Sequence, residues 1–100
     1  MTADARTPLI VTLYSRPGCH LCEVMKATVL EVAGRLPLTV QDVDVSSDPV
    51  LTARYGEDVP VLTAGDTEIA RHRATVDELV ERLTRAARSS PPYATNGGRP

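Results

Sequence analysis

Between Tyr14 and Cys22 the chain changes its hydrophobic period, and that change constrains the fold more than any other feature. Leu9, Ile10, Val11, Thr12, Leu13 and Tyr14 form a nearly continuous apolar, β-branched run, which reads as a strand buried on both faces. Ser15, Arg16, Pro17 and Gly18 interrupt it. From Cys19 onward, Cys22, Met25, Val29, Val32 and Leu36 recur at spacings of three and four, which lays an apolar stripe along one side of a helix. Gly34 and Pro37 mark its end. The pattern predicts a strand, a tight turn and a helix, with Cys19 at the junction.

The rest of the chain continues in short elements. Leu38 to Val45 reads as a second strand, with an alternation that slips phase around Gln41 and Asp42. Ser47 or Asp48 can cap a short helix that has Pro49 at its first position and Gly56 at its exit, after Tyr55. Val59, Pro60, Val61 and Leu62 form a strand entered through proline. Gly65 and Asp66 supply a hairpin turn, so that Glu68 to His72 returns as an antiparallel edge strand beside Val61 to Thr63. Thr75 with Glu78 is a capping-box pattern; it opens a helix that turns Val76, Leu79, Val80 and Leu83 inward and stops near Arg88.

The resulting order, βαβαββα, implies parallel pairing across the early crossover and antiparallel pairing at the hairpin. The expected fold class is α/β, a mixed four-stranded sheet flanked by helices. Residues 9–88 form one domain, residues 1–8 are an N-terminal extension, and residues 89–100, with Pro91, Pro92, Gly97, Gly98 and Pro100 and almost nothing to bury, are expected as a disordered tail.

Composition enters by exclusion. With 100 residues, 42% of them apolar, the chain is long enough for one core and too short for two. Phe and Trp are absent, so the core is aliphatic. A net charge of -2 and a pI near 5.6 provide no basic surplus for phosphates, which sets nucleic acid aside. Met1 to Pro8 contains no apolar stretch that would serve as a secretion signal, and no segment approaches membrane-spanning length. A cytoplasmic monomer without a membrane partner is expected.

Two cysteines three residues apart would close a tiny loop, which adds little as a structural staple; chemistry accounts better for the spacing. Thiol–disulfide exchange needs a thiolate, and a free cysteine with a pKa of ~8.5 is mostly protonated near neutral pH. Where a strand gives way to a helix, unpaired N–H groups and the positive end of the helix dipole stabilise a negative sulfur, and Cys19 sits there. Arg16, three residues earlier, adds a positive charge, and Pro17 and Gly18 keep the sulfur near the surface. Cys22, one turn on, can reach back to a mixed disulfide formed on Cys19. His20, between them, either favours the thiolate when protonated or is a solvated loop residue.

Other readings of the pair are two inert buried cysteines or half of a zinc site. Structural zinc takes four protein ligands, and beyond this pair the chain offers only His20 and His72. No metal site is therefore expected within one chain. Two chains could still supply four cysteine ligands to zinc or an iron–sulfur cluster across a symmetric dimer. A redox-inert interaction module is a third reading.

The segment Leu13-Tyr14-Ser15-Arg16-Pro17-Gly18-Cys19-His20-Leu21-Cys22, followed by a helix and later by Val59-Pro60, resembles the glutaredoxin-like branch of the thioredoxin superfamily over roughly Leu9 to Arg88. The resemblance implies a thioredoxin fold and a thiol–disulfide oxidoreductase that reduces protein or low-molecular-weight mixed disulfides through Cys19 and Cys22. It implies a cis Val59–Pro60 bond beside the cysteines, with the Val59 backbone free to hydrogen-bond an extended substrate, and an Arg16 that meets a carboxylate of glutathione. Some glutaredoxins also hold an iron–sulfur cluster between two subunits. Two departures stand out. His20-Leu21 replaces the usual Pro-Tyr between the cysteines, and Ala70-Arg71-His72-Arg73-Ala74-Thr75 replaces the glycine-pair turn that binds glutathione's far carboxylate. Arg71, Arg73 and the following helix N-terminus remain candidates to attract an anion. No cofactor is required; glutathione or another low-molecular-weight thiol is the implied co-substrate, and a disulfide-containing protein or small thiol the implied partner.

Overall fold

The computed structural model describes residues 8–89; all but Pro8 of the expected N-terminal extension and all but Ser89 of the expected tail lie outside the described residues. Strand β1 (Leu9–Ser15) leads through the Pro17–Gly18 turn into helix α1 (His20–Ala33), followed by β2 (Leu38–Asp44), a 3-10 turn (Val45–Ser47) and helix α2 (Pro49–Tyr55). Strands β3 (Val61–Ala64) and β4 (Thr67–Arg71) form the hairpin, and α3 (Val76–Ser89) follows. The sheet runs β2-β1-β3-β4. β1 and β2 are parallel from Leu9↔Leu38 to Ser15↔Asp44, and β3 is antiparallel to both β1 and β4. The expected βαβαββα order and mixed sheet are present.

Period-two alternation sends Val11 and Leu13 of β1 into the main core, where they meet Met25, Val29 and Val32 of α1, Leu62 and Ala64 of β3, and Leu79 and Leu83 of α3. The opposite face of β1 is covered unevenly. Tyr14 packs against α2, whereas Ile10 is 54% exposed. The expectation of a strand buried on both faces is thus corrected, because α2 has only seven residues and shelters one end of that face.

The apparent phase slip in β2 also has a physical explanation. The register with β1 is continuous and places Asp42 beside Leu13, on the α1 side. At this sheet edge Asp42 reaches the α1 residue Lys26 (2.8 Å) instead of entering the core, while Gln41, on the other face, accepts a bond from Thr12 (3.4 Å).

The β3–β4 hairpin carries a bulge. Leu62 pairs with Ala70 and Thr63 with Glu68, so Ile69 is the extra residue, and both Ile69 and Ala70 are buried. The Arg82 guanidinium of α3 donates to the Ile69 carbonyl (3.0 Å), pinning helix to bulge. α3 opens as expected: the Thr75 N–H donates to Glu78 (2.9 Å) and the Glu78 N–H to the Thr75 hydroxyl (3.1 Å). Of the two capping candidates for α2, Asp48 takes the role, accepting from the Val50 N–H at 2.8 Å. No helix among the described residues is long and apolar enough to cross a membrane.

Candidate functional site

The site is built where β1 hands over to α1. Gly18 takes φ +76°, a left-handed conformation that glycine adopts without a Cβ clash, and this turn delivers Cys19 as the N-cap of α1 with extended backbone. The Cys19 sulfur fills the role a capping oxygen plays elsewhere, accepting the Cys22 N–H at 3.1 Å. Cys19 is half-buried, and Cys22, on the inward stripe of α1, is buried. The two are joined as a disulfide, with their Cα atoms 5.2 Å apart.

A small apolar cluster surrounds the pair. Cys22 is grouped with Val45 and Val59, and Tyr14, Cys19, Leu51 and Tyr55 pack around them. The Tyr14 and Tyr55 rings stack at 4.4 Å and tie α2 to the end of β1. This second cluster was not foreseen from the sequence. The signal for it was the two-residue period, which places Tyr14 opposite Val11 and Leu13.

The Val59–Pro60 peptide is cis, as the resemblance implied, and both residues are buried. Among the described residues, neither the N–H nor the C=O of Val59 has a hydrogen-bond partner. A buried segment normally pairs its backbone groups, and Val59 departs from that rule.

The remaining expected residues divide. Arg16 is exposed in the loop before Cys19 and makes no ion pair with any described residue. His20 is exposed and lines an open groove of about 550 Å³ with Leu21, Val24 and Met25. His72, Arg73 and Glu78 line the same groove, so two histidines far apart in sequence share one depression. Arg73 has no ionic partner among the described residues. Arg71, expected to attract an anion, does not have its guanidinium free. Its Nε and Nη2 grip Glu68 (2.8 and 2.6 Å), and its Nη1 meets Asp58 (3.0 Å). The Arg71 hydrogen bond holds the Glu68 carboxyl below its ordinary range, and the carboxylates raise Arg71 in turn. Two nearby acids thus reach all three guanidinium nitrogens.

In the turn that stands in place of a glycine pair, His72 adopts φ +67°. The Arg73 N–H donates to the Arg71 carbonyl (2.8 Å) across it, closing a three-residue turn. Among the described residues, no group of three or more His, Cys, Asp and Glu side chains is placed to hold a metal ion.

Comparison with known proteins agrees with this architecture. Protein XcR50 from X. campestris superposes with a TM-score of 0.66 at 25% identity, covering 75% of this chain and 96% of that one. Protein Ne2328 from Nitrosomonas europaea gives 0.64 at 29% identity, covering 73% and 88%. Thioredoxin 1 from Thermosipho africanus gives 0.59 at 18% identity, covering 82% and 98%, a likeness of fold alone. A search of curated proteins finds no match. The profile of the glutaredoxin-like domain (DUF836) matches residues 10–84, and the chain belongs to that family, built on a thioredoxin fold.

Proposed function

We propose that the chain is a thiol–disulfide oxidoreductase in which Cys19 attacks and Cys22 resolves. The observation that carries this reading is the N-cap position of Cys19, whose sulfur accepts a backbone N–H at the positive end of α1. A charge-assisted bond of this kind stabilises a thiolate more than a thiol. The contrast in burial supports the division of roles: the half-buried sulfur meets substrate, and the buried one waits for it.

In the reduced chain the Cys19 thiolate attacks one sulfur of a disulfide, forming a mixed disulfide and releasing the other sulfur as a thiolate that takes up a proton. The Cys22 thiol, on losing its proton, attacks the Cys19 sulfur. The second substrate thiol leaves, and the chain is left with the Cys19–Cys22 disulfide. Two electrons and two protons pass to the substrate, and two equivalents of a thiol reductant return the chain to its dithiol. The substrates are protein or low-molecular-weight mixed disulfides. Val59 pairs with their backbone, Arg16 meets a carboxylate, and glutathione or another small thiol serves as co-substrate.

Equilibration against reduced and oxidised glutathione, read by alkylation and mass, tests the proposal. A reversible dithiol-to-disulfide transition is expected, with a glutathione adduct accumulating on Cys19 in Cys22→Ser. Two thiols that neither oxidise nor form an adduct would overturn it.

A further inference from the structure

Both neighbours of Val59 are fastened to one short turn, while Val59 itself is left unpaired. On one side, the Asp58 carboxylate is held by Arg71 Nη1 at 3.0 Å and faced by His72 Nε2 at 3.9 Å. On the other, the Pro60 carbonyl accepts the His72 N–H at 2.8 Å, which carries the β3–β4 ladder one residue past β4. The Asp58 N–H also donates to the Tyr55 carbonyl (2.7 Å), and Tyr55 is stacked on Tyr14 in the cysteine cluster.

Glu68 completes the arrangement. By gripping Nε and Nη2 it fixes the plane of the Arg71 guanidinium and leaves Nη1 to meet Asp58. The left-handed backbone of His72 lets one residue supply both the N–H for Pro60 and the imidazole facing Asp58.

We propose that Asp58, Arg71 and His72 form a clamp that sets the position of the Val59 backbone, and that they thereby determine preference for disulfides carried on an extended peptide over small disulfides lacking one. The proposal rests on the thiol–disulfide reading. Strand-like pairing needs a donor and an acceptor held at fixed places, and a modest displacement of either weakens the bond steeply. These three are positioning residues: none of them needs to touch the reacting sulfurs.

The test uses the full chain, reduced and freed of reductant, in single turnover. It is mixed with a linear peptide disulfide or with bis(2-hydroxyethyl) disulfide, which has no peptide backbone, and oxidation is followed by acid quench and alkylation. In each case the chain's dithiol becomes its disulfide and the substrate becomes two thiols. Asp58→Asn and Arg71→Gln are each expected to lower the ratio of peptide to small-disulfide rate constants about three- to tenfold, the worth of roughly one hydrogen bond. The double variant should fall no further than the larger single effect, because both remove the same contact. An unchanged ratio, or equal slowing with both substrates, would overturn the clamp and leave the oxidoreductase reading standing. Failure of the unaltered chain to be oxidised by either disulfide would overturn both. Thermal unfolding reports whether each variant is folded; should Asp58→Asn fail to fold, Arg71→Lys, which keeps a cation without the two-armed grip, carries the same ratio test.

Discussion

Cys19 and Cys22 are chemically identical residues whose surroundings separate them: one caps a helix at the surface, the other lies on its buried stripe. The spacing and the helix junction are local, so this separation was legible in the sequence. Arg71 shows the opposite case. Its partner Asp58 is thirteen positions away, and nothing in the string of residues signals the meeting. The Arg71–Glu68 pair predicts a pH effect. Because the Glu68 carboxyl is held below its ordinary value of 4.5, the folded state binds that proton less readily than the unfolded one. The stabilisation is therefore present above about pH 4.5 and lost as pH falls through the lowered folded value. Urea unfolding of Glu68→Gln should show a deficit at pH 7 that closes toward pH 3. It should be small, since the two side chains are 39% and 44% exposed. A deficit independent of pH would assign the loss to packing instead.

Element ends were read well wherever a cap signals them. The Thr75–Glu78 box and Asp48 before Pro49 sit within a turn of the groups they satisfy, so sequence alone exposes the box and narrows the α2 cap to Ser47 or Asp48, between which the fold takes Asp48. Thr75→Ala is expected to cost about 1 kcal/mol in equilibrium unfolding and to lower helicity at the start of α3. A circular dichroism melt that matches the parent would show the cap to be redundant. The bulge at Ile69 was not legible. Inserting one residue against a single partner is decided by what the helix and the sheet each require of that edge, here two inward side chains and a carbonyl for Arg82.

At the scale of the molecule, one well-filled core carries the fold and a smaller apolar cluster surrounds the Cys19–Cys22 pair. Leu79 is fully buried in the first and Ile10 is more than half exposed on the thinly covered face. Leu79→Ala should therefore lose about 2–5 kcal/mol in denaturant unfolding, whereas Ile10→Ala should stay within about 0.5 kcal/mol of the parent. A large loss at Ile10 would mean that the open sheet face is covered in solution. By itself the sequence determined the order of elements, the Thr75–Glu78 cap, the aliphatic make-up of the main core and the placement of Cys19 and Cys22 at a helix start. All of these depend on periods and contacts within a few residues. Only the tertiary structure decided that β1 buries one face and just one end of the other, that His20 and His72 share a groove, and that Arg71 and His72 hold the Asp58–Pro60 loop. Those outcomes depend on which segments the sheet order brings side by side, and contacts between distant segments leave no periodic trace in the chain.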